Sequence, residues 1–122
     1  MLAAVAVSDL GTAALKEWID RPRPPVRYPE PEPLLAVPAT GSFPSGHAAT
    51  SFASAVLLAR AAPAFRVPLL LLAVGIAASR VYAGVHFPLD VLAGALFGIA
   101  VATAPRLLAA VLRLSPRGRR RG

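Results

Sequence analysis

The sequence predicts an all-α fold, a polytopic membrane bundle of about four transmembrane helices. Three observations carry that expectation. Of the 122 residues, 56% are hydrophobic, and the mean hydropathy of +0.60 is too apolar for an ordinary soluble domain of this size. Four apolar stretches follow one another, separated by proline-rich or charged punctuation. The charged clusters sit at the ends of those stretches rather than within a soluble framework. The length allows one domain at most, read as a core over residues 1–114 and a basic tail over 115–122.

The first stretch runs from Leu2 to Ile19. It lacks a basic leading region and carries Asp9, so it reads as a retained helix rather than a cleaved signal peptide. Asp9 lies two turns before Lys16, and a structural helix–helix hydrogen bond is the favoured role for it over a contact toward the site. From Asp20 to Ser42, Pro22, Pro24, Pro25, Pro29, Pro31, Pro33 and Pro38 rule out a continuous helix. This is a long, partly extended loop, of a length that is usually functional or disordered. The remaining stretches run from about Gly46 to Ala62, Val67 to Val85 and Pro88 to Leu112. Each approaches the roughly 17–25 residues that span a bilayer, although Asp9, Arg60 and Arg80 interrupt them. Spanning therefore requires Arg60, Arg66 and Arg106 to snorkel to one interface while the clustered residues sit at the other. A compact soluble helical bundle is the competing reading.

The net charge of +7 raises nucleic acid as a partner. However, Lys16, Arg21, Arg23, Arg27 and Arg80 lie in or beside the clusters, and Arg117, Arg119, Arg120 and Arg121 form the tail. No aromatic platform or binding module accompanies the charge, which argues against nucleic acid. A basic tail after an apolar helix marks the cytoplasmic side of a membrane. The absence of cysteine excludes disulfides and thiolate metal sites and leaves the redox compartment undecided.

Three clusters carry the chemistry. Lys16, Arg21 and Arg23 follow the first stretch, where basic residues also flank membrane helices for no catalytic reason. Pro44-Ser45-Gly46-His47 precedes an apolar run. A helix beginning near Gly46 directs its free N–H groups and positive end at the loop, an anion site to which Ser45 adds a hydroxyl. The plainer alternative makes Ser45 an N-cap and His47 a surface residue. In the third cluster, Ser79-Arg80 is followed by His86 and Asp90, four residues apart around Pro88. Asp90 can accept a hydrogen bond from one ring nitrogen of His86 and leave the other free as a nucleophile; an Asp90–Arg80 ion pair is the structural alternative. Together the clusters supply fixed cations, two imidazoles and a carboxylate, the equipment for phosphoryl transfer.

Lys16 with Arg23-Pro24, then Pro44-Ser45-Gly46-His47, then Ser79-Arg80 with His86 and Asp90 resemble the three-part signature of the type 2 phosphatidic acid phosphatase family, whose membrane members are related to haloperoxidases. The resemblance covers about Lys16 to Asp90. It implies that His86 attacks phosphorus, Asp90 orients it, and His47 protonates the leaving oxygen and later activates water. It implies that Lys16, Arg23, Ser45, Gly46 and Arg80 hold the phosphoryl oxygens. Three cations offset the charge without a metal ion, so no cofactor is expected. Family members carry about six membrane helices, and this chain matches the last four; a fragment, a mis-assigned start and a small member are all open.

The expected substrate is a lipid phosphate or polyprenyl diphosphate, because an amphiphile keeps its tail in the bilayer while its phosphate reaches the loops. Competing classes are a lipid phosphotransferase using the same site, a vanadate-binding haloperoxidase-like protein, against which the hydropathy argues, and a non-catalytic membrane protein. The expected location is the plasma (inner) membrane, with the site on the external or periplasmic side and both termini cytoplasmic. A homo-oligomer is compatible with the sequence.

Overall fold

Small residues, rather than large ones, form the interior of this protein. The computed structural model describes residues 1–114, which form helices α1 (Leu2–Ile19), α2 (Pro24–Arg27), α3 (Gly46–Ala61), α4 (Arg66–Tyr82, entered through a 3-10 turn over Pro63–Phe65) and α5 (Pro88–Leu114). Among the described residues there is no strand. Helix α3 lies at the centre and packs against α1, α4 and α5. Its Ala48, Ala49 and Ala53 are wholly buried. Opposite them on α5, a side chain at Gly94 or Gly98 would run into the carbonyl oxygen of Ser45 or Ala49. These two glycines therefore set how closely the helices approach.

The large apolar residues point the other way. Leu71, Leu72 and Val74 on α4 and Leu92, Leu96, Leu107 and Leu108 on α5 are exposed. In water such contiguous apolar surface is a liability. In lipid, where tails are as apolar as leucine, helices associate through close approach of small residues, which is the pattern here. The protein is thus an all-α membrane bundle, and the soluble reading is overturned. Two segments, Pro63–Tyr82 and Pro88–Arg113, are long and apolar enough to cross a bilayer. Helix α1 carries Asp9, Lys16 and Glu17, and α3 has 16 residues, so neither reaches that measure alone.

The turns deliver the site residues to one end. Asp20 ends α1 in the left-handed region (φ 43), its N–H bonded to Lys16 O at 2.9 Å. A short polar side chain tolerates that conformation. Gly84, at φ 74, turns the chain after α4, which stops at Tyr82 rather than continuing to Val85. Within the proline-rich loop, Pro24 starts the single helical turn α2, which the proline count conceals. Arg60 Nη1 donates to Ala102 O on α5 at 2.7 Å. The basic tail, 115–122, lies outside the described residues.

Candidate active site

Lys16, in the last turn of α1, reaches the start of α3. A methyl group added at Gly46 would lie 4.0 Å from its Nζ. The first two clusters therefore meet where a cation faces the N-terminal end of a helix. Ser45 caps that helix, its Oγ accepting the Ala48 N–H at 3.4 Å, and it is wholly buried. Its backbone N–H donates to Asp90 O at 2.9 Å, which fastens the second cluster to the third.

Arg23 is 3% exposed and uses every side-chain donor. Nε donates to Thr40 O at 2.9 Å, Nη1 to Val85 O at 2.9 Å, and Nη2 to Thr40 Oγ1 and Gly41 O at 3.4 and 3.2 Å. Nη1 also lies 3.3 Å from His86 Nε2. One guanidinium thus ties the proline-rich loop to the α4–α5 turn. Burial lowers its pKa, with Asp90 pulling the other way.

His86 is 4% exposed, and its ring orientation follows from its neighbours. A guanidinium only donates, so Nε2 presents its lone pair to Arg23 and the ring proton resides on Nδ1. Nδ1 faces Asp90 Oδ2 at 3.6 Å and makes no hydrogen bond among the described residues. Burial first, and then the Arg23 guanidinium, depress the His86 pKa from 6.5 to about 4, against the opposing pull of Asp90. The imidazole is therefore neutral at ordinary pH, the form a nucleophile requires.

Asp90 does not pair with Arg80. Its Oδ1 accepts from Arg21 Nη1 at 2.6 Å, and its Oδ2 accepts the Phe87 N–H at 2.9 Å. Arg80 instead donates from Nε to Ser79 Oγ at 3.1 Å. Arg21, noted in the sequence only as a neighbouring charge, is the Asp90 partner that reading missed; its place two residues before Arg23 was the available signal.

Lys16, Arg23, His47, Arg80 and His86 line a single cavity of about 350 Å³. His47 also borders a cavity of about 490 Å³ shared with Lys16, Gly46, Thr50 and Asp9, and a groove of about 420 Å³ between α3 and α4. Asp9 is exposed into the former and makes no side-chain hydrogen bond among the described residues, so the expected helix–helix bond is absent. Ser45 and Asp90 line none of these spaces; both lie behind the cavity wall. Among the described residues, no group of three or more His, Asp or Glu side chains converges as metal ligands. The arrangement offers a neutral imidazole lone pair, a second imidazole and three cations around one space, which suits a tetrahedral anion.

The sequence and the fold are similar to those of known proteins. The model of the PAP2 superfamily covers residues 1–113. The decaprenylphosphoryl-5-phosphoribose phosphatase of Mycolicibacterium smegmatis is 35% identical over 96 residues, covering 75% of this chain and 49% of that protein. The crystal structure of Aquifex aeolicus LpxE superposes with a TM-score of 0.78 at 34% identity, covering 85% of this chain and 63% of that one. The crystal structure of a transmembrane PAP2-type phosphatidylglycerolphosphate phosphatase from Bacillus subtilis gives 0.67 at 29% identity, covering 97% and 60%. The chain thus spans about half the length of the first relative and under two-thirds of the two structures.

Proposed function

The chain belongs to the PAP2 superfamily, and we propose that it is a membrane phosphatase that hydrolyses a lipid phosphate or diphosphate through a phosphohistidine intermediate. The observation that carries this reading is the convergence of His86, His47, Lys16, Arg23 and Arg80 on one cavity. The Nε2 lone pair of His86 attacks phosphorus; the bond from phosphorus to the leaving oxygen breaks, and that oxygen takes a proton from His47, which begins the cycle as the imidazolium. Water then attacks the phosphohistidine, giving a proton to His47, and the P–N bond breaks to return free Nε2 and phosphate. Lys16, Arg23 and Arg80 offset charge on the equatorial oxygens, and the N-terminal N–H groups of α3 near Gly46 add to them. Because Arg23 is fully engaged, an incoming phosphoryl oxygen takes over a donor that now faces His86.

An amphiphilic substrate suits the surroundings. The groove that starts at His47 continues between α3 and α4 past Val5, Ala55, Leu58, Leu69 and Leu72, an apolar course beside the phosphate site. The relatives named above act on a polyprenyl-linked sugar phosphate and a phosphatidylglycerolphosphate by their names, so a lipid phosphate is the substrate class. We assign the site to the external face of the plasma membrane. Hydrolysis rather than transfer to another acceptor rests on water reaching His47, which is exposed.

The test is release of inorganic phosphate from a panel of lipid phosphates by detergent-purified protein. His86→Ala is expected to abolish turnover, and Asp90→Asn to leave a reduced rate. A folded His86→Ala protein that retains the wild-type rate sinks the mechanism.

A further inference from the structure

We propose that Arg21 is a positioning residue that acts on the candidate nucleophile through Asp90. The inference rests on the phosphatase reading above. Asp90 is wholly buried, and a buried carboxylate needs a partner for its charge. That partner is Arg21, at 2.6 Å from Oδ1. The guanidinium is itself fixed, its central carbon 4.5 Å above the centre of the Phe87 ring, and its backbone is tied by the Ser42 N–H to Arg21 O at 2.9 Å. Arg21 does not line the cavity that holds His86; it borders a separate one of about 300 Å³ beside Arg23.

The consequence lies in how the two carboxylate oxygens are divided. Arg21 takes Oδ1 from one side while the Phe87 N–H takes Oδ2 at 2.9 Å, and together they fix the plane of the carboxylate. In that plane Oδ2 is the oxygen facing His86 Nδ1 at 3.6 Å, unoccupied by any second cation. Without Arg21 the carboxylate keeps one N–H partner and is left to the pull of Arg23 and Lys16, the other cations in its field. His86 then loses the carboxylate oxygen that faces Nδ1 across 3.6 Å and attracts the proton there, leaving the Arg23 contact at Nε2 alone to orient the ring.

The experiment uses the full chain in detergent and the lipid phosphate that the wild type hydrolyses fastest. Arg21→Ala is expected to lower kcat by about tenfold to a hundredfold, the usual effect of removing the group that orients a functional side chain, with KM unchanged. Arg21→Lys, which keeps the charge but not the planar fork, should recover part of the rate. In an Asp90→Asn background, Arg21→Ala should cost nothing further, because the two act as one unit. Full additivity of the two substitutions, or a loss confined to KM, would overturn the inference, as would an unchanged kcat in Arg21→Ala. Should Arg21→Ala not fold, Arg21→Gln carries the same comparison. If the wild type releases no phosphate from any substrate, the phosphatase reading itself fails, an outcome distinct from all of these.

Discussion

Nη1 of Arg23 lies 3.3 Å from Nε2 of His86, so the nitrogen proposed to attack phosphorus rests against the cation proposed to receive a phosphoryl oxygen. The same guanidinium holds three backbone carbonyls of the loop and of the α4–α5 turn. Catalytic geometry and loop anchoring therefore depend on one side chain.

Arg23→Lys should consequently fail on both counts. A lysine keeps the charge but cannot reach Thr40, Gly41 and Val85 together, and each buried carbonyl left without a partner costs about 1–3 kcal/mol. Phosphate release should fall by at least about a hundredfold, on the scale of losing one oxyanion donor, with a lower thermal midpoint in detergent. A variant with wild-type activity and midpoint would contradict the assignment.

The depressed His86 pKa has a stability consequence of definite sign. The folded value is about 4 and the ordinary value 6.5, so between these the unfolded chain binds the proton and the folded chain does not. Stability is full above about pH 6.5 and is lost as pH falls through about 4. Thermal midpoints measured from pH 7 to pH 4 should fall less steeply for His86→Gln than for the wild type. Identical slopes would show that His86 is not held neutral.

The helices were legible in the sequence because hydropathy and proline placement act locally. The start of α1 and of α5, at Leu2 and Pro88, follow from them directly. Cluster convergence was legible too, since the spacing of Lys16, His47 and His86 put all three at one end of the bundle. Partner choice was not. Whether Asp90 meets Arg80 or Arg21 depends on the left-handed turn at Asp20, which swings Arg21 back beneath α5. Asp9 was misjudged for a related reason. Arg60 found a backbone carbonyl on α5, and Asp9 opened into a cavity beside Lys16, choices that only the packed arrangement decides.

Packing of α3 on α5 gives a contrast between two glycines. Gly98→Ala would drive a methyl group into the Ala49 carbonyl, whereas Gly75, on α4, has nothing within 4 Å. Gly98→Ala should destabilise by about 1–3 kcal/mol or prevent folding. Gly75→Ala should be neutral or stabilising by up to about 1 kcal/mol from helix propensity. Unfolding of the two variants in detergent distinguishes the outcomes, and equal effects would mean that the helices are not in the close contact described.

Lys16, Arg23 and Arg80 are proposed to do the work that a divalent ion does in other phosphatases. Activity should then survive EDTA, and vanadate should inhibit by adopting a geometry close to that of the transferring phosphoryl group. Loss of turnover on chelation, restored by a divalent ion, would count against this.

Orientation in the membrane follows from how the basic residues divide. If successive connections along the sequence are assigned to alternate sides, Arg60, Arg66, Arg106, Arg113, Arg117, Arg119, Arg120 and Arg121 are expected together, eight in all, against five opposite: Lys16, Arg21, Arg23, Arg27 and Arg80. The bias in Lys and Arg sets topology, which favours the eight-residue side as cytoplasmic. Four of the remaining five are accounted for by the site, since Lys16, Arg23 and Arg80 line its cavity and Arg21 pairs with Asp90. The active site and the proline-rich loop over it should therefore face outward. Ala39 in that loop and Ala64 in the turn before α4 are both exposed, on opposite ends of the bundle. A cysteine at Ala39 should react with an impermeant thiol reagent in intact cells, and one at Ala64 only after permeabilisation. The reverse pattern would invert the orientation and place the phosphate chemistry on the cytoplasmic face.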